Sequence, residues 1–499
     1  MFSSSDRTKL NPDSSVYKYK ARLVVKGYAQ VAGLDYGDTF APVARHDTIR
    51  LLFALAAQSN WKLYHLDVKS AFLNGLLQEE IYVDQPEGFQ VAGMEDKVYR
   101  LHKALYGLKQ APRAWYSKID DHLIHCGFKR SENEATLYVK KAKGGDVFVV
   151  SLYVDDLLVT GSNKAMVNQF MQEMETKFEM SDLGEMSYFL GMEIHQVTAG
   201  IFISQRKYAW DILKRFKMER CKSVPTPLVH NEKISKFEGG YRADPTVYRS
   251  LIGSLLYLTA TRPDLMFTTS LLSRFMQAPS QVHLGVAKRT LRYIKGTADY
   301  GIWFKREEQG QLMGYSDSDW AGSVDDMKST SGYAFTLGSG MFSWNSKKQE
   351  VVAQSSAEAE YIAAAGATNQ ALWLRKILRD LEQNDIEATV IKVDNKSAIS
   401  MAKNPVQHGR SKHINVKFHA IRQAKKDGEV QLVHCSSDQQ IADIMTKALP
   451  KGKFEVLRAK VGSIQEKSQG GVLENEIFLD VFLFNCYFLK YYVKYVKER

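Results

Sequence analysis

Read for apolar and polar positions alone, the chain divides into stretches of different period. From about Tyr17 to Phe216, short strand-like runs mix with helical ones. "WKLYHLDV" alternates into a strand ending at Asp67, and "VFVVSLYV" and "LLVTG" read as two strands joined by a tight turn. Around Ser223 the stretch "SVPTPLVHNEKISKFEGGYRADP" loses all periodicity to Pro, Gly and polar residues and reads as a linker. From Thr246 to Lys295 apolar residues recur at three and four, predicting helices. Strands return after Gly301, followed by a long helix from about Ala357 to Leu381, with Ser355 or Ser356 as its N-cap. No internal repeat or low-complexity tract is present.

Composition narrows the class. The 499 residues are enough for two or three domains, each with its own core. With 44% hydrophobic and 25% charged residues, the chain is globular rather than disordered. A net charge of +11 favours a polyanionic partner. The four cysteines are scattered without a CxxC pair, which argues for a reducing compartment and against a disulfide framework. The opening is polar and carries no signal-peptide core. "IFLDVFLFNCYFLKYYVKYV" near the C-terminus is interrupted by Asp480, Asn485, Lys490 and Lys494, so no membrane span is expected.

Chemistry enters at "YVDD". Asp155 and Asp156 fall at the tip of the expected hairpin. Two unit charges about 4 Å apart at an effective dielectric of about 20 repel by about 4 kcal/mol, so they call for a shared proton, a basic neighbour or a divalent cation. Asp67, at another strand end, could complete a three-carboxylate site for two metals about 3.5–4 Å apart. These residues alone leave open the plainer reading of exposed turn acids.

Together with "KARLVVKGYAQ", "HLDVKSAFLNG", "IYVDQPEGF", "ALYGLKQAPRAWY" and "DLGEMSYFLGMEI", the "YVDD" hairpin resembles the reverse transcriptase region of copia-type LTR retrotransposon Pol polyproteins, from Tyr17 to about Arg458. The resemblance implies a right-hand polymerase of fingers, palm and thumb. In it Asp67 and Asp155 are the principal metal carriers and Asp156 completes the acidic cluster. Phe72 would stand where a bulky ring rejects a ribose 2′-hydroxyl. Gly107, Lys109, Gln110 and Pro112 belong to the loop under the nucleotide and template. Arg22 would meet the triphosphate, and Leu190, Gly191 and Met192 would form the primer grip.

The later region carries dispersed acids: Asp317 at a strand end, Glu358 and Glu360 early in the long helix, Asp394 ending another strand and Asp443 early in a final helix. Their order looks like the ribonuclease H fold. On a helix Glu358 and Glu360 lie about 200° apart, so only one faces the metals, and "AEYIAA" resembles the family pattern for Glu360. Asp317 matches better than Asp319 or Asp325. His413 would position the scissile phosphate or shuttle a proton. His413, His419, His434 and Cys435 lack the tight spacing of a zinc site.

The expected architecture is thus a multidomain α+β and α/β chain: a polar leader (1–16), fingers and palm (17–216), linker and helical thumb or connection (217–300), a ribonuclease H-like domain (301–460) and a non-family tail (461–499). The expected function is RNA- and DNA-directed DNA synthesis with hydrolysis of RNA in RNA–DNA hybrids, using two Mg2+ (or Mn2+) per site. The expected partners are RNA template, DNA primer, RNA–DNA hybrid and deoxynucleoside triphosphates, in the cytoplasm within a virus-like particle or in the nucleus. Since family members begin a few dozen residues earlier, the alternative is a truncated, inactive remnant that at most binds nucleic acid.

Overall fold

In the computed structural model, residues 2–10, 16–142, 144–237, 240–306, 310–383, 387–403 and 420–466 are described. The first two strands, β1 (Phe2–Leu10) and β2 (Val16–Val25), pair antiparallel with Arg22 opposite Ser5. The expected polar leader is therefore a strand partner of β2, because alternating backbone pairing needs no apolar side chains. β3 (Leu63–Val68) follows the helix His46–Ser59, and β4 (Leu76–Asp84) pairs with β5 (Val98–Lys103). Beyond the helix Ala111–His125 come β6 (Lys129–Arg130), β7 (Leu137–Lys141), β8 (Val147–Tyr153), β9 (Asp156–Gly161) and β10 (Met180–Glu185). These form a six-stranded sheet in the order β10-β3-β9-β8-β7-β6. β8 and β9 are central and buried on both faces, which is why their sequences are continuous apolar runs rather than alternating ones.

A second sheet contains β11 (Tyr188–Phe189), β12 (Met192–Val197), β13 (Gly200–Ser204), β14 (Tyr300–Lys305) and an edge strand introduced below. Gly301 lies opposite Ser204, so the boundary expected at residue 301 falls inside a sheet shared with the earlier region. The intervening segment holds helices Pro245–Leu258, Met266–Ser273 and Gln281–Gly296. Asp244 caps the first by accepting from the Thr246 and Val247 amides, and Pro245 opens it. The stretch expected as a linker is packed, not free: Leu228 and Ile234 are buried, and Ser235 donates to Asp325 at 2.6 Å. Proline and polar residues remove periodicity without removing anchor points.

The third sheet comprises β15 (Met313–Ser318), β16 (Thr330–Thr336), β17 (Met341–Lys348), β18 (Thr389–Val393) and β19 (Val430–His434), in the order β17-β16-β15-β18-β19. β15 runs antiparallel to β16 and parallel to β18. The helix Ser356–Asp380, capped by Ser355 at 3.2 Å from the Glu358 amide, packs across β15 and β16. This sheet stands where the ribonuclease H-like domain was expected.

β20 (Ser463–Gln465) is the edge strand of the second sheet. Val461 and Ser463 are buried, so the fold runs past the expected boundary at residue 461. Among the described residues no helix is long and apolar enough to cross a membrane; the aromatic stretch from Ile477 lies outside them.

One compact unit spans Met1–Ile464. Arg50, buried on the helix His46–Ser59, shows how its parts are tied. Its guanidinium donates to the carbonyls of Phe342 (2.6 Å) and Ala260 (3.0 Å), pairs with Asp47 at 2.9 Å and covers the Trp344 ring. Composition separates these regions, but the core does not.

Candidate active sites

The first acidic cluster is built at strand ends. β3 and β9 are neighbours, and their register sets Asp67 opposite Asp156. The Val68 amide donates to the Asp155 carbonyl at 2.9 Å, tying the hairpin tip to the same edge. The β8–β9 turn is Val154–Asp155, and Val154 has φ +58°, a conformation that a β-branched residue rarely adopts. The Trp115 indole holds it by donating to the Val154 carbonyl at 2.6 Å. All three acids are half-buried. His65, two residues before Asp67 and therefore on its face of β3, sits with Nε2 2.8 Å from Asp156 Oδ1. Its ring also meets Phe189 edge-on at 5.3 Å. The motif reading missed His65, although the i, i+2 spacing from Asp67 was a usable signal.

Around this edge, Phe72 lies in a 3-10 turn (Ala71–Asn74), half-buried, with its ring 4.8 Å from Tyr106. Gly107 has φ +98°, and a Cβ there would fall 2.0 Å from the Val25 carbonyl oxygen, so only glycine lets the loop pass β2. Lys109 is exposed, its ammonium 2.9 Å from the Tyr36 hydroxyl. Gln110, expected in the loop under the nucleotide, is buried, donating to the Asp35 carbonyl (3.0 Å) and accepting from Gln30 (3.1 Å). Its amide braces the loop because a buried amide must satisfy both ends. Pro112 lies in the first turn of the helix Ala111–His125. Arg22 is placed by its backbone on β2; its side chain lies outside what is described.

Leu190 and Gly191 form the two-residue turn between β11 and β12, with φ +47° and +78°, and Met192 begins β12, buried. The Tyr257 hydroxyl donates to the Leu190 carbonyl at 2.8 Å and would lie 1.9 Å from a Cβ on Gly191.

The second cluster is drier. Asp317 is the penultimate residue of β15, Asp394 follows β18, and the two central strands are parallel neighbours, so both acids emerge at the C-terminal ends of adjacent strands. Glu360 reaches them from the helix. Ligand oxygens of Asp317, Glu360 and Asp394 lie within 4.8 Å of one another, the only such trio among the described residues. Glu358 turns away, and its Oε2 accepts from the Gln354 amide at 2.9 Å. Burial, reinforced by the neighbouring carboxylates, pushes Glu360 up to about 10. Burial likewise pushes Asp317 up to about 6 against the pull of Lys447. Glu360 Oε1 accepts from the Ser318 amide at 3.2 Å, while Oε2 is buried without a partner. Carboxyl oxygens gathered in a largely buried site, one of them without a hydrogen-bond partner, form a donor set suited to a hard divalent cation.

Asp443 lies not in the final helix but in the 3-10 segment Ile441–Met445 that precedes the helix Lys451–Lys460. It is buried and paired with Lys447 at 2.8 Å and with Lys453. Asp319 accepts from the Thr330 amide, and burial lifts it to about 6; Asp325 accepts from Ser235 and the Lys236 amide. His413 lies outside the described residues, as does His419. His434 ends β19 and Cys435 follows it, buried.

Residues 7–230 match the family model described as reverse transcriptase (RNA-dependent DNA polymerase). The chain is 41% identical over 454 residues to the retrovirus-related Pol polyprotein from transposon RE1 of Arabidopsis thaliana, covering 91% of this chain and 31% of that one. It is 36% identical over 303 residues to a Ty5-1 transposon protein of Saccharomyces cerevisiae, covering 60% of this chain and 98% of that one. The chain spans about a third of the length of the Pol polyproteins it matches. Among solved structures, an RNase H1 isolated from compost aligns with 28% of this chain and 93% of its own, at 17% identity and a TM-score of 0.21.

Proposed function

On the premise that this chain belongs to the reverse transcriptase family of copia-type transposon Pol proteins, we propose that it extends a DNA primer on an RNA or DNA template and cleaves the RNA of the resulting hybrid. The observation that carries the polymerase half is the β3–β9 register, which sets Asp67 opposite Asp156 beside the Asp155 turn. Asp67 and Asp155 would hold Mg2+, or Mn2+ in its place. When bound, such ions neutralise phosphate charge and align the in-line displacement. Phe72 closes the deoxynucleotide pocket sterically, its ring braced by Tyr106. Lys109 and Arg22 meet the triphosphate. The rigid Leu190–Gly191 turn, pinned by Tyr257, orients the primer end together with Met192.

In this reading the sheet of β3 and β6–β10 is the palm, the β1–β2 and β4–β5 ribbons are fingers, and helices Pro245–Leu258 to Gln281–Gly296 are the thumb or connection. The nuclease half rests on the convergence of Asp317, Glu360 and Asp394, with Asp443 beside them. A net charge of +11 suits a duplex bound through its phosphates, making affinity salt-dependent. On this reading the protein works in the cytoplasm, within a virus-like particle of the full element, or in the nucleus.

Primer extension on poly(rA)·oligo(dT) with Mg2+, run beside cleavage of a labelled RNA–DNA hybrid, tests both halves. Extension that requires Asp155 and cleavage that requires Asp394 are expected. Folded protein that binds the hybrid and does neither would make the chain an inactive remnant.

A further inference from the structure

Lys447 has no role in the reading so far, yet it sits among the acids of the second cluster. It follows Asp443 by four residues, in the turn leading to the helix Lys451–Lys460. Its ammonium lies 3.2 Å from Asp317 and 2.8 Å from Asp443 Oδ1. Both carboxylates are buried, and charges withdrawn from water need a countercharge close by. Lys453 takes the other oxygen of Asp443. The four acids are therefore unequal. Asp317, Glu360 and Asp394 converge with a free oxygen on Glu360, whereas Asp443 is already paired on both oxygens by the chain's own cations.

We propose that Lys447 is a resident cation holding the place between Asp317 and Asp443, so that this cluster takes one divalent ion readily at Asp317, Glu360 and Asp394 and a second only by displacing the ammonium. The inference rests on the metal-binding reading of the second cluster. Displacement has somewhere to go: Lys447 also lines a cavity of about 210 Å3 together with Asp319, Trp320, Arg274, Lys348 and Thr446. In that cavity Asp319 offers a second carboxylate, and phosphate oxygens of a bound strand would offer further acceptors. The exchange makes the second ion conditional: it enters when something else compensates the lysine.

The test uses the full chain carrying Asp67→Asn and Asp155→Asn, so that only the second cluster contributes, with free Mn2+ followed by electron paramagnetic resonance. Two sites are expected, the weaker by about tenfold or more. Lys447→Met, which keeps the length and removes the charge, should tighten the weaker site by about tenfold, while Lys447→Arg should not. Equal weak-site affinity in parent and Lys447→Met would overturn the proposal alone. Mn2+ binding to neither protein would instead overturn the metal reading beneath it. A measurement on the unsubstituted lysine guards against a folding defect. Acylation of Lys447, read by mass spectrometry, should rise severalfold when Mn2+ is added, and labelling that does not change would count against displacement.

Discussion

The two acidic clusters solve the same electrostatic problem in different surroundings. At the β8–β9 tip the acids are half-buried, placed by a two-residue turn, and one of them leans on a histidine. Where β15 and β18 end, Asp317, Glu360 and Asp443 are buried and Asp394 is half-buried; they are drawn from two strand ends, a helix and a short turn, and lysines balance Asp317 and Asp443. Water screens the first cluster, so backbone geometry suffices to build it. The second must carry its own countercharge, because the Coulomb cost of gathered carboxylates grows as the local dielectric falls. The consequence is that the first depends on turn conformation and the second on ion pairing.

Exchanging one acid at a time gives the largest contrast. Asp155→Asn should lower primer extension by about 10^2–10^4-fold and leave hybrid cleavage intact, and Asp394→Asn should do the reverse, since a metal clamp supplies several kcal/mol at the transition state. A common loss in both assays from either variant would mean the clusters are not independent sites. Within the dry cluster, Glu360→Gln should reduce cleavage by a similar factor. Glu358→Gln should leave cleavage largely intact and cost about 1 kcal/mol of stability, since that carboxylate accepts from the Gln354 amide at the helix start. If the two variants behave alike in the cleavage assay, the assignment of Glu360 to the metal-facing side is wrong.

At the wetter cluster, His65→Leu should slow extension by about 10–100-fold, the usual cost of losing a partner that orients a ligand. His65→Gln, which retains a donor, should recover part of it, and an unchanged rate in His65→Leu would reduce the histidine to packing. The smallest effect is on stability. Mg2+ at about 100 times its dissociation constant should stabilise the fold by about 2.7 kcal/mol, seen as a rise in melting temperature. Glu360→Gln and Asp67→Asn should each remove the share of that rise supplied by ion binding at its own cluster, and loss of the whole rise from either variant would mean that one cluster alone binds Mg2+.

Much of this was legible in the residues. The apolar runs of β8 and β9 gave away the hairpin expected to carry Asp155 and Asp156 at its tip; in the fold the turn is Val154–Asp155 and Asp156 opens β9. The long helix and a serine cap, Ser355 or Ser356, came from period and chemistry read together, and the fold makes the cap Ser355. The angle between Glu358 and Glu360 on a helix said only that they cannot share a face, and the choice of Glu360 came from the family pattern; in the fold Glu360 lies beside Asp317 and Asp394, while Glu358 accepts from the Gln354 amide. Gln110 was read as a residue of the nucleotide loop, but burial turned it into a brace, and a motif cannot report which atoms of an amide are already satisfied. The boundary at residue 301 failed for a related reason: β14 lies between β13, far upstream, and β20, far downstream, and strand pairing is a long-range choice that local composition does not record.

By itself, then, the sequence determined the local elements, the basic surface charge and the identity of the carboxylates, all of which depend on neighbours a few residues apart. Only the tertiary structure decided which acids meet, which stay wet, that His65 and Lys447 stand against them, and that Arg50 ties the parts into one core. Desolvation and ion pairing are set by atoms brought together from distant positions, and their strength depends on a local dielectric that exists only once the chain has folded.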